Sequence, residues 1–162
     1  MITLDLQMAV PEADRAAYGV PAWNRFEAWA GAALRDHPGA ELTVRVVGGD
    51  EITELNRQFR GKEGPTNVLS FPFEAPPGVE MPLLGDVVIG AAVVAAEAAA
   101  QGKDPEAHWA HLTVHGCLHL IGYDHVEADE AEQMEALERA ILDRLGYPDP
   151  YAAERAEEGA EG

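Results

Sequence analysis

One stretch limits the fold of this chain more than any other: His115-Gly116-Cys117-Leu118-His119-Leu120-Ile121-Gly122-Tyr123-Asp124-His125. His115 and His119 are four residues apart, so a helix stacks them one turn apart on the same face. Gly122 can take the left-handed conformation that ends a helix. The turn after it is expected to bring His125 back toward the first two imidazoles. Three neutral imidazole nitrogens converging on one point suit Zn2+, with a fourth position left for water. Structural zinc sites normally close all four positions with protein ligands, so three ligands form the pattern of a catalytic centre.

The spacing H-x-x-x-H-x-x-G-x-x-H is also that of the metzincin peptidases, which place Glu directly after the first His as general base. Here that position is Gly116, which cannot accept a proton. The metal pattern is kept and the peptidase's base is absent. The metal is therefore expected to serve another reaction, or to find another base.

Two further segments bear on the family. One is Leu55-Asn56-Arg57-Gln58-Phe59-Arg60-Gly61-Lys62-Glu63-Gly64-Pro65-Thr66-Asn67-Val68-Leu69-Ser70-Phe71-Pro72-Phe73. The other is Leu84-Gly85-Asp86-Val87-Val88-Ile89. With the histidine segment they resemble, in the same order, the signature blocks of the YbeY family, zinc-dependent endoribonucleases of ribosomal RNA maturation. The resemblance spans residues 55 to 125. It implies one Zn2+ per chain on His115, His119 and His125, with His115 also in the catalytic set. Arg60 matches the family's functional arginine, which implies a catalytic and substrate-binding residue on the scissile phosphate. The implied substrate is single-stranded RNA or ribosomal RNA, in small-subunit 3′-end maturation and ribosome quality control. The implied partners are a ribosomal subunit or ribosome-associated proteins. A Glu introduced at position 116 is expected to lie near the metal and repel an incoming phosphate.

A formal net charge of −18 runs against nucleic-acid binding, since RNA binders usually carry a basic footprint. The acid is unevenly placed. Residues 127 to 145 hold seven acidic and two basic side chains, and the segment from Tyr151 holds four Glu and one Arg, both readable as solvated surface. Arg57, Arg60 and Lys62 fall together with only Glu63 nearby, so one cleft can favour an anion. No apolar run is long enough to span a bilayer, and the first residues lack the pattern of a signal peptide. A single cysteine fits a reducing cytoplasm, where the protein is expected to reside. Cys117 is two residues from each helical His, about 200° around the helix, and is read as a buried apolar residue.

The chain length of 162 residues fits one domain. The expected fold is α+β: a single domain over residues 1–150 with one mixed sheet of about four strands and about five helices. The zinc site lies on a central helix and the turn after it, and residues 151–162 form an acidic tail expected to be mobile. Ile2, Leu4, Leu6 and Met8 alternate as a strand, as do Leu42, Val44 and Val46. Strands are also expected from 67 to about 71 and over 84–89. Pro21 opens a helix bearing Trp23, Phe26, Ala30 and Leu34, and Asp50 is read as the N-cap of a short helix. The Pro-rich stretch 74–82 reads as a flexible loop. Ala91 to Ala100 reads as a buried helix. Asp104 and Pro105 start the histidine helix, and a last amphipathic helix runs from about Ala128 to Leu145, stopped by Gly146.

Other residues near the motif have plainer readings. His111 is expected to support the site or pack, His108 to lie on the surface, and Tyr123 to pack. Asp124 is read first as a carboxylate that orients a ligating imidazole; capping and proton transfer stay open to it. Arg60 could also simply close its helix, where a cation favours the C-terminus. Asp86 is read as a structural cap. Thr66, Asn67 and Ser70 could line a cleft or satisfy turn hydrogen bonds. Two rivals to the ribonuclease are a metal-dependent peptidase or other hydrolase, and a ribosome-assembly factor with structural zinc and no catalysis.

Overall fold

The computed structural model describes residues 2–123 and 127–152. In chain order the elements are β1 (Thr3–Met8), α1 (Glu12–Ala17), α2 (Trp23–Ala33), β2 (Glu41–Val47), α3 (Gly49–Arg60), β3 (Val68–Pro72), β4 (Leu83–Gly90), α4 (Ala91–Gln101), α5 (Pro105–Leu120) and α6 (Ala128–Leu145). The strands form one mixed sheet in the order β1-β2-β4-β3. β1 and β4 run parallel to β2, while β3 pairs antiparallel with β4 at the edge.

Alternation along the strands makes two unequal apolar faces. Leu4, Leu42, Val44, Val46, Val87 and Ile89 face the main core with α2, α4, α5 and α6. Val47, Leu69 and Val88 face the other way and meet Ile52 of α3. The main core is centred on Phe26, whose ring meets those of Trp29 and Trp109 edge-on with centroids 5.7 and 6.0 Å away. Both Trp side chains are buried, and truncating either to Ala would cost about 3–5 kcal/mol. The helix carrying the histidines is thus wedged between the aromatic core and the sheet.

Gly85 marks the place where β3 crosses β4. Its φ is +137°, and a Cβ there would lie 2.2 Å from the Phe71 carbonyl oxygen. The β2–β4 register also shifts at Glu41 and Leu42.

The strands and the expected helices occur where the pattern placed them, with one correction at the start of α3. Among the described residues there are six helices, in line with the expected number of about five, and α1 is the addition. α1 buries no residue, so it leaves no apolar periodicity to read. The N-cap of α3 is Gly48, and Asp50 sits inside the first turn, where its charge complements the helix dipole. No helix of the described residues is long and apolar enough to cross a membrane.

Candidate metal centre and cleft

Asp104 caps α5 by accepting a hydrogen bond from the Glu106 amide at 3.3 Å, with Pro105 at the first turn. The helix then passes through the core, and from His108 to Leu120 only His115 and His119 are more than marginally exposed. At its end the Gly122 amide donates to the His119 carbonyl and the Tyr123 amide to the Leu118 carbonyl, both at 3.1 Å. This is a Schellman closure with Gly122 at φ +102°, as the sequence required.

The Nε2 atoms of His115 and His119 lie 3.1 Å apart. Two nitrogens on a tetrahedral zinc with Zn–N of about 2.0–2.1 Å are separated by about 3.3 Å. The pair therefore fits two corners of such an ion with little movement. His115 turns its other nitrogen inward, and Nδ1 donates to Glu138 Oε1 at 2.9 Å. Glu138 belongs to α6 and is fully buried. Its Oε2 accepts from His111 Nε2 at 2.5 Å and from the Tyr151 hydroxyl at 2.8 Å. Burial alone would raise the Glu138 pKa, but the hydrogen bonds from His111 and His115 outweigh it and hold the carboxyl at about 2. The carboxylate stays charged and fixes the His115 ring.

His111, His115 and Glu138 lie close enough together to form a metal site. Their closest contacts, at 2.5 and 2.9 Å, have hydrogen-bond length. The cleft-facing imidazole pair offers a second location for an ion, with Glu138 behind it. His125 and Asp124 lie outside the described residues.

His115 and His119 line a cleft of 780 Å³. Arg60 and Lys62 line the same cleft, with Thr66, Asn67 and Ser70 on its wall. Arg60 is the exposed last residue of α3, and Gly61 follows at φ +65°. The loop beyond is held by side chains. Buried Asn56 donates from Nδ2 to the Gly64 carbonyl at 3.0 Å. Asn67 Nδ2 donates to Glu97 at 3.1 Å, and the Ser70 hydroxyl donates to the Gly116 carbonyl at 3.0 Å. β3 is thereby tied to α5 beside His115. A cleft lined by two imidazoles, and by two cations to one Glu, suits an anionic ester near a metal.

Several expectations change. Gly116 does not face the cleft. A Cβ there would lie 2.5 Å from Val87 Cγ1, so the glycine lets α5 approach the sheet, and a Glu there would meet β4 rather than a phosphate. His108 is buried, not superficial, and its Nε2 lies 3.0 Å from Glu97. Burial is the main cause lowering its pKa, partly offset by Glu97. Tyr123 is partly exposed and lines the cleft. Asp86 is an exposed strand residue. Cys117 is buried as expected, and burial pushes its thiol up to about 12. Glu138 was missed, although it falls on the buried stripe of α6 with Met134, Ile141 and Leu142. A Glu within an apolar stripe is the signal that could have found it. Tyr151, the first residue of the expected tail, is seated on that Glu.

The chain is similar to the solution structure of TM1509 from Thermotoga maritima, at 24% identity over 97% of this chain and 93% of that one, with a TM-score of 0.58. That likeness bears on the fold. The family model described as Endoribonuclease YbeY matches residues 22–146, which take in the cleft, α5 and the buried Glu138. With a match over most of its length, the chain belongs to the YbeY endoribonuclease family.

Proposed function

We propose that the protein is a zinc-dependent endoribonuclease specific for single-stranded RNA. One observation carries the reading: the His115 and His119 Nε2 atoms, 3.1 Å apart, share a cleft with Arg60 and Lys62. His115, His119 and His125 would hold the metal, and Glu138 would keep His115 in the tautomer that offers Nε2. Bound zinc supplies Lewis acidity toward a phosphate oxygen and lowers the pKa of water. Arg60 would hold the scissile phosphate with its planar fork and offset charge that grows in the transition state. Lys62 would add a point charge beside it. The nucleophile is water or the RNA's own 2′-hydroxyl.

The family resemblance supports ribosomal RNA as substrate, with work at the small-subunit 3′ end and in ribosome quality control, in the cytoplasm and on ribosomal subunits or their associated proteins. The acidic surface fits such partners, because weak affinity for naked RNA leaves a ribonucleoprotein to supply the rest. The test is cleavage of a structured RNA with single-stranded tails, paired with metal analysis. Wild-type protein should cut the tails and carry about one zinc per chain. Cleavage of paired regions at the same rate would overturn the single-strand specificity.

A further inference from the structure

A second cavity, of 560 Å³, lies between α2 and α6. It adjoins the metal cleft at Gly122 and Tyr123, which line both. Its lining is mixed: Ala33, Leu137 and Ile141 are among its apolar residues, and Arg35, Asp36, His37 and Arg144 are its charged and polar ones. Four of the chain's eleven Lys and Arg residues therefore line two adjoining cavities, in a chain of net charge −18. Arg35 follows α2, and Arg144 is in the last turn of α6. Helix dipoles favour cations at those places, but they do not explain why the two face one groove that opens beside the cleft.

We propose that this groove holds the single-stranded RNA next to the scissile bond, with Arg35 and Arg144 on its phosphates and Tyr123 against a base where the cavities meet. The inference rests on the ribonuclease reading and extends it to the substrate's flank. A nucleotide brings a flat apolar face and an anion, and the groove offers a mixed lining, part apolar, with two guanidinium groups. Tyr123 is 37% exposed, while its backbone is locked to the end of α5 by the hydrogen bond to Leu118. A base that stacks on an exposed ring carried by a fixed backbone need not order the chain to do so, and stacking tolerates any sequence.

The test compares RNAs of about four and about sixteen nucleotides sharing one cleavage site, near the range a single-strand groove covers. Both are cut by zinc-loaded wild type, R35A/R144A, R35K/R144K and Y123L proteins, over a series of salt concentrations. The expected result for R35A/R144A is a KM for the long RNA raised about tenfold at unchanged kcat, with the short RNA unaffected. Its salt slope should fall by about 1.4, at about 0.7 for each lost single-strand phosphate contact. R35K/R144K should keep most of that slope, and Y123L should raise KM without changing it. Equal KM values for wild type and R35A/R144A on the long RNA would overturn the proposal, as would equal losses on both lengths. Failure of the wild type to cut either RNA would instead overturn the ribonuclease reading beneath it.

Discussion

Glu138 on α6 accepts a hydrogen bond from His115 Nδ1 at 2.9 Å, and this leaves the opposite nitrogen of the ring for the cleft. The contact joins the acidic helix to the histidine helix through a buried charge. It gives His115 an orienting carboxylate on α6, while Asp124, which the sequence offered first for such a role, lies outside the described residues.

Glu138→Gln should therefore separate metal affinity from ligand identity. The amide keeps the shape but loses the charge that two imidazole N–H groups share. Zinc affinity should fall about 10- to 100-fold, read by competition with a chelator. The buried site should also lose about 1.5–3 kcal/mol of stability. Unchanged affinity would mean that Glu138 does not support a ligand.

Gly116→Ala tests the packing explanation of the glycine. The added methyl meets a stiff β-branched neighbour, Val87, at 2.5 Å. A loss of about 1–3 kcal/mol is expected, even though Ala is about 1 kcal/mol better than Gly in a helix. Val87→Ala in the same chain should recover part of the loss. A variant with the wild-type Tm would refute the close approach.

Arg60→Ala should leave folding and zinc content intact, because the side chain is exposed at the end of α3. RNA cleavage should fall about 30- to 1,000-fold, corresponding to about 2–4 kcal/mol in the transition state. Arg60→Lys should recover only part of the rate. Wild-type rates in the Ala variant would remove the phosphate-holding role.

His108 gives a pH signature. Its folded pKa is depressed, chiefly by burial, so the unfolded chain binds a proton that the folded chain resists. Stability is lost as pH falls below the unfolded value of about 6.5, by at most about 1.4 kcal/mol per pH unit for this one group. In His108→Gln that component is missing, so chemical denaturation from pH 7 to 5 should show a flatter decline than in wild type. Parallel curves would contradict a buried neutral His108.

Much of the fold was legible because its signals are local. Asp104 with Pro105 starts α5 and Gly122 ends it, whatever the surroundings. The alternation in β1 and β2 showed which face meets the core. The burial of His108 was not legible, since it continues the stripe of His111, His115 and His119, and nothing in the sequence marks where other elements cover that stripe. The reason for Gly116 was hidden as well, because a missing carboxylate is visible in a sequence and a neighbouring Val87 is not. For the site, His115, His119, Arg60 and Lys62 line one cleft and all fall within motif blocks visible in the sequence, while Glu138 and Tyr151 reach it through long-range packing that no motif encodes. His125 was named from its spacing and falls outside the described residues.

The most direct measurement is single-turnover cleavage of an RNA with single-stranded tails by wild-type protein before chelation, after it, and after zinc is restored. Cleavage in the tails should disappear with the metal and return when about one zinc per chain is bound. Full-rate cleavage by folded protein freed of metal would contradict a catalytic metal on His115 and His119.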